Sequence, residues 1–473
     1  MSITITTDAP SPRSKPPPGP PKENTTAVVD ENVELANLPP DGGRLAWLQV
    51  AGSFFLFFNS WSASVLSLSL SPLLISCAAD HLQPKRGLTS SYGVFQTYYQ
   101  ATMQHTSADA IAWIGSIQSC LVLLVGVLVG PLYDAGYFRS LTLTGIALVF
   151  LGLCMTSLAS RYWQTLLAQA FCVGLGAGCL YIPSVAIILQ WFARRRALAT
   201  GVVATGSGLG GVVYPLIVQG LLPRVGFPWA TRVIAFVSLA TNAFAFAVLR
   251  ERKPGGLGAE MQRRRRVMLD LSAYRNVSFV VFSVAMFFNF FSYMAPIYYL
   301  QQYSLTHGLA GQGASDTSGL AYYLVAILNA GSIFGRLFPA WLAGRCGPIN
   351  VLLGVSVSVA TVALCWLGVS TGAGSVAFAL AYGFASGGLV SLPPTVVSTL
   401  VPDLGLHGTW LGMVSTTNAF GSLAGPPIAG ALLEATGSYL GVQLLSGLGM
   451  VAMTVLVLVL RMIRVGKGST WIV

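Results

Sequence analysis

The sequence predicts an all-α membrane protein, with twelve transmembrane helices in two six-helix halves. Three observations predict it. Apolar residues make up 54% of the 473 residues and charged residues only 9%, against roughly 25% charged in a soluble domain. The apolar residues gather in continuous runs of about 20, the length that crosses ~30 Å of hydrocarbon. The basic residues then fall almost entirely on one side of those runs. With a mean hydropathy of +0.69, the chain lacks the charged exterior of a soluble enzyme or a secreted disulfide scaffold. The unbroken runs exclude a β-barrel, whose strands alternate every second residue. No nucleic-acid partner is expected, because the net charge of +11 is accounted for by topology.

Taken in order, residues 1–44 read as a disordered tail on the cytoplasmic side. Nine of the 25 prolines lie there, and no apolar run precedes Ala46, so no cleavable signal peptide is expected. The first span is placed at 46–61, continuing at 87–99. The others follow at 111–131, 140–158, 163–190, 198–222, 231–249, 277–302, 319–343, 349–369, 374–397, 409–433 and 437–463. Residues 45–249 form the N-terminal half, 250–276 a basic central loop and 277–465 the C-terminal half. Residues 466–473 form a second cytoplasmic tail. An even number of spans puts both termini on one side. If that side is the cytoplasm, 21 of the 26 basic residues lie inside. They comprise four in the tail, one in the 2–3 loop, three in the 4–5 loop, eight in the central loop, two in the cytoplasmic half of span 8 and at its end, and three at the C-terminus. Only Lys85, Arg86, Arg161, Arg224 and Arg232 lie outside. The split predicts a multi-pass plasma-membrane protein with both termini cytoplasmic. The run Arg263–Arg266 reads as a topology determinant beside anionic lipid. Asn276 opens a glycosylation sequon, but on the cytoplasmic side, so it carries no sugar.

The two halves are internal copies. An offset of 211 pairs Gly176 with Gly387, Pro183 with Pro394, Gly201 with Gly412, Thr205 with Thr416, Gly210 with Gly421 and Pro215 with Pro426. Parallel six-helix repeats are the architecture of rocking transporters, with the substrate site between the repeats near the bilayer midplane.

Residues 62–86 interrupt the pattern. Ser62–Ser76 alternates Ser and Leu, and Cys77–Arg86 is polar with Asp80, Lys85 and Arg86. Such charge is costly within a spanning helix. Joining Trp61 to Gly87 restores one helix, NSWGLTSSYGVFQTYY, and keeps the reading frame. The segment therefore reads as a retained intron; the alternative is a genuine extracellular loop. Sequencing the mature transcript decides it: the intron reading expects a dominant message without Ser62–Arg86, and a dominant message that encodes them contradicts it.

The sequence shows no set of groups for catalysis, and no metal or cofactor is expected. None of the 15 acidic residues falls deep in a span, and the four histidines, His81, His105, His307 and His407, fall in loops. The seven cysteines form no CxxC pair and read as reduced structural thiols. One full charge does lie inside a span. Arg336 is nine residues before Arg345, about 13 Å from the cytoplasmic end. It reads as a carboxylate-binding group, or else as a gate arginine held by helix-end carbonyls. Asn59, Asn289, Tyr293 and Asn418 lie mid-span and are candidates for substrate binding or for interhelical hydrogen bonds.

Three motifs carry a family resemblance. Trp191-Phe-Ala-Arg194-Arg195-Arg196 runs into Ala197-Leu-Ala-Thr-Gly201 and on to Thr205-Gly206. Asp41-Gly42-Gly43 precedes Ala46-Trp47, and Gly130-Pro-Leu-Tyr-Asp134 precedes Arg139. Together they resemble the fungal branch of the monocarboxylate-porter family of the major facilitator superfamily. The resemblance implies the major facilitator fold and alternating-access transport of a small organic anion, with protons as a candidate coupling ion. It also implies that Arg336 is the family's helix-8 substrate arginine. The motif residues serve conformational change: Gly201 and Gly206 permit close helix approach, and Asp134 with Arg139 latches helix ends. Three positions depart from the pattern. Ser90 stands where animal members carry a coupling lysine, Ser332 stands for an acid one turn before the arginine, and Gly344 stands for an acid of the second loop motif. These weaken lactate-type proton symport. Export of a secondary metabolite is the alternative function, and a transporter-like nutrient sensor a minor one. The expected partners are a small-molecule substrate and the lipid bilayer.

Overall fold

The computed structural model describes residues 41–69, 108–252, 270–309, 323–401 and 406–466. Helix α1 is Arg44–Ser69. Helix α2 runs from Ala108 to Asp134 with a turn at Val125. Phe138–Thr156 is α3, and Tyr162–Trp191 is α4, with a π-helical stretch at Leu166–Val173. Arg196–Val248 is broken at Gly226, and its two limbs are α5 and α6. In the second half α7 is Val277–Thr306, α8 Leu324–Cys346, α9 Pro348–Cys365, α10 Gly372–Leu400, α11 His407–Thr436 and α12 Leu440–Gly466. Ten of these helices are long and apolar enough to cross a membrane. The other two are α1 and α11; α11 carries Thr409, Ser415, Thr416, Thr417, Asn418 and Ser422. No strand occurs among the described residues.

Local chemistry sets several boundaries. Gly226 adopts φ 74°, ψ 171°, which turns the chain between α5 and α6 at no side-chain cost. Pro348 opens α9, where its missing N–H is not needed. Asn276 caps α7 by accepting from the Ser278 amide at 3.1 Å, so the sequon asparagine has a structural task. Helix α1 continues unbroken through Ser69, so the first residues of the 62–86 segment extend the helix. Residues 70–86, the continuation at 87–99, the tail up to residue 40, the basic loop at 253–269 and residues 467–473 lie outside the described residues.

Within the first half, α1 packs against α4, α5 and α6; within the second, α7 packs against α11 and α12. The halves meet chiefly through α2 on α11 and α5 on α8. Small residues allow both crossings. A Cβ on Gly130 would lie 2.2 Å from the Gly408 carbonyl oxygen, and one on Gly412 would lie 2.2 Å from that of Gly126. On the other pair, a Cβ on Gly201 would meet the Ala340 Cβ at 2.4 Å. Lipid supplies no hydrophobic drive between helices, so close backbone contact is what holds such a seam.

Candidate functional site

The end of the molecule that bears the 2–3 and 4–5 connections is called here the basic face. Asp41 shapes it first. Its Oδ1 accepts from the amides of Ala193 at 2.6 Å, Arg194 at 2.7 Å and Arg195 at 3.4 Å, immediately before α5. Its own amide donates to the Trp191 carbonyl at 3.2 Å. These bonds offset a left-handed backbone at Asp41, φ 51°, which costs about 1–3 kcal/mol. Gly42 and Gly43 carry the chain from there into α1. Trp47 stacks edge-on to Phe192 at 5.5 Å. The 41–47 motif thus fastens α1 to the α4–α5 connection within one half.

Asp134 makes the corresponding bond across the halves. Its carboxylate accepts from the amides of Gly408 at 3.0 Å and Thr409 at 2.7 Å, and from the Thr409 hydroxyl at 2.7 Å. A carboxylate on the exposed amides of a helix N-terminus also meets the positive end of the helix dipole. Arg196 adds a second crossing, from Nη1 to the Ser398 hydroxyl of α10 at 3.2 Å. The halves are therefore latched at the basic face. Arg139 lies exposed in the first turn of α3. Gly206 seats α5 on α1, where its Cβ would lie 2.4 Å from the Phe54 carbonyl oxygen.

At mid-depth lies Arg336 of α8, only 4% exposed. Its Nη1 donates to the Ala204 carbonyl and to the Ser207 hydroxyl of α5, each at 2.6 Å. Its Nε is buried and unpartnered. The Tyr293 hydroxyl of α7 faces the guanidinium, and the Tyr382 hydroxyl donates to the Tyr293 carbonyl at 3.0 Å. Asn289 lies one turn before Tyr293; its Oδ1 and that of Asn418 on α11 are buried without partners. Each such atom leaves about 1–3 kcal/mol of hydrogen bonding unmade. These atoms have hydrogen-bonding capacity that the protein itself does not use.

Asn59 differs. Its Nδ2 donates to the Phe55 carbonyl at 2.8 Å, to Thr241 at 3.0 Å and to Asn242 at 3.0 Å, while Oδ1 accepts from Tyr214 at 2.5 Å. All of these lie within the first half, so Asn59 makes the interhelical bond of its second reading. The three departing positions also have places. Ser332 bonds the Asn329 carbonyl at 3.0 Å, Gly344 is exposed at the end of α8, and Ser90 lies outside the described residues. Six cysteines among the described residues are free.

Sequence reasoning passed over the aromatic wall beside Arg336. Trp61 of α1 packs on Tyr181 of α4 at 5.7 Å and on Phe290 of α7 at 5.9 Å, joining the halves. Its indole N–H is buried and unpartnered. Phe290 in turn lies 6.3 Å from Tyr293. An aromatic residue in an apolar run looks the same whether it fills a core or faces a ligand. The unpaired N–H is the distinguishing sign, and it is visible only in three dimensions. One expectation needs correcting: His407 is not in a loop. It is the first residue of α11 and is 3% exposed, because the Asp134 latch draws that helix end against α2.

Two six-helix halves closed on each other at one face, with a polar and aromatic site between them, define a multi-pass membrane transporter. The chain belongs to the Major Facilitator Superfamily, whose family model matches residues 50–405. It is 37% identical over 415 residues to the MFS-type transporter dbaD of Emericella nidulans, covering 87% of this chain and 84% of that protein. It is 33% identical to the aspyridones efflux protein apdF of the same fungus, over 91% of this chain and 81% of that one. It is likewise 33% identical to the agnestins efflux protein AgnL12 of Paecilomyces divaricatus, over 93% and 97%. Among solved structures, human organic anion transporter MFSD10 aligns with a TM-score of 0.63 at 18% identity, covering 87% of this chain and 99% of that one. At that identity the likeness bears on the fold alone. The superfamily expectation holds. Of these fungal relatives, two are named as efflux proteins and one as an MFS-type transporter, and none is named as a monocarboxylate porter.

Proposed function

We propose that this transporter exports a fungal secondary metabolite with an aromatic body and an anionic group. The observation that carries the reading is Arg336, a buried guanidinium between α5 and Tyr293, beside an aromatic wall that bridges the halves. The naming of relatives as efflux proteins supports the direction. The guanidinium fork matches a carboxylate or an acidic enol, and the Trp61, Tyr181 and Phe290 rings match a flat apolar body. Asn289 and Asn418 supply acceptors for substrate hydroxyls.

The arginine's bonds suggest how export proceeds. With the basic face open, α5 moves away from α8 and Arg336 loses Ala204 and Ser207. Its full fork is then free for the substrate anion. As the basic face closes, the α5 acceptors return to Nη1 and compete with the anion, which weakens binding as the opposite side opens. The binding site thus has lower affinity in the state drawn here, as release requires. We place the protein in the plasma membrane with both termini cytoplasmic, on the 21-to-5 division of basic residues. Uptake of a small carboxylate would use the same arginine and is the second reading.

Yeast expressing the chain and preloaded with a panel of aromatic carboxylic acids should lose at least one of them faster than control cells. The methyl ester of that acid should show no acceleration. Equal acceleration of acid and ester would remove anion recognition, and faster accumulation instead of loss would favour uptake.

A further inference from the structure

The latch holds one titratable group that the transport reading does not use. His407 begins α11, and both of its ring nitrogens are buried without partners. The next two residues, Gly408 and Thr409, give their amides to Asp134 of α2. The charge of Arg196 on α5 bears on the ring from across the halves. Asp270 lies on the same helix end, accepting from the Trp410 indole at 3.0 Å. The facing end of α10, Pro393–Leu400, has no ionisable side chain, and from α12 Arg464 reaches the Thr399 carbonyl at 3.0 Å.

We propose that His407 is a proton-binding site that opens the latch: the closed basic face accommodates only the neutral imidazole, and protonation favours the open one. An imidazolium carries two N–H donors, and the closed site offers neither nitrogen an acceptor. Its charge would also be buried beside Arg196, where two like charges lack water to separate them. The Asp134 carboxylate is already committed to two amides and a hydroxyl of the same helix. When the halves part at this face, α11 separates from α2 and α5. The ring then meets water and titrates near its ordinary value of about 6.5. The sign follows. Protons bind the open state and not the closed one, so acid shifts the balance toward open, and the shift vanishes above that value. At pH 5.5 the open-to-closed ratio should rise about tenfold over its value at pH 7.5. For an exporter, a proton taken up at the basic face would hold the site open to its loading side. The inference concerns the latch alone and stands whatever the substrate is.

Hydrogen–deuterium exchange of the full chain in lipid nanodiscs tests it without a substrate. The peptide spanning residues 406–412 reports the two amides held by Asp134. After correction for the chemical exchange rate, its protection should fall about tenfold from pD 7.5 to pD 5.5. In His407→Gln and His407→Phe, protection should be the same at both values. Peptides from α4 and α7 report whether each variant is folded. Phe keeps a planar aromatic ring in the buried site and Gln keeps a polar group, so a folded variant is expected from at least one. Equal protection at both pD values in the wild type overturns the proposal. A fall that persists in a folded variant also overturns it and assigns the titration to a carboxylate on that helix end, Asp134 or Asp270.

Discussion

Replacing Arg336 with alanine should lower substrate export by about tenfold or more while the protein still reaches the membrane. A hydrogen bond to a charged group is worth about 1.5–3 kcal/mol, and 1.4 kcal/mol is a factor of ten. The substitution removes the proposed partner of the anion together with the donor that Ala204 and Ser207 share. Arg336→Lys keeps the charge and loses the planar fork, so it should fall between wild type and alanine. Ser207→Ala separates the two tasks. It weakens the contact between halves and leaves the guanidinium in place, so its effect should be smaller. The measurement is the initial efflux rate, normalised to the amount of transporter in the membrane. An unchanged rate in Arg336→Ala would reduce this arginine to a packing element.

Gly130→Leu should cost between about tenfold and a hundredfold in transport, by a different route. The added Cβ would lie 2.2 Å from the Gly408 oxygen and 2.7 Å from its carbonyl carbon. Those atoms are helix backbone, which cannot swing aside as a flexible side chain does. Overpacking of this kind costs about 1–3 kcal/mol. Here the cost falls only on the state with the basic face closed, because α2 and α11 touch there. The variant should therefore insert and fold, yet fail to complete the cycle. Gly344→Ala is the matched control. A Cβ there meets nothing within 4 Å, so transport should be unchanged. Wild-type rates in a well-expressed Gly130→Leu would show that the α2–α11 seam does not close during transport.

How much of this was legible in the sequence depends on whether a feature is local. The spans are local, and the apolar runs place them. The 5–6 connection is the exception in detail: helix geometry continues up to the break at Gly226, so almost no loop separates the two spans. The glycines of the seams were visible as small residues, and Gly201 pairs with Gly412 through the repeat, but their opposite surfaces were not. Asp134 shows the reason. Its partners, Gly408 and Thr409, are 274 and 275 residues away, and two of the three donors are backbone amides that no side-chain motif records. Arg336 stood out because a charge in an apolar run is expensive. Asn59 did not reveal its role, because an amide in a helix bonds a neighbour or a ligand with the same atoms. Trp61, Tyr181 and Phe290 gave no signal in an aromatic-rich chain. His407 read as a loop residue because the polar residues before it end the apolar pattern.

Outward movement of an endogenous metabolite is read from the ratio of secreted to cell-retained product. Matched fungal strains with and without the gene are compared by mass spectrometry of medium and mycelium. At least one aromatic acid should move from medium to mycelium when the gene is lost, and return to the medium when the wild-type gene is restored. An unchanged ratio for every metabolite, or greater secretion in the strain that lacks the gene, would contradict it.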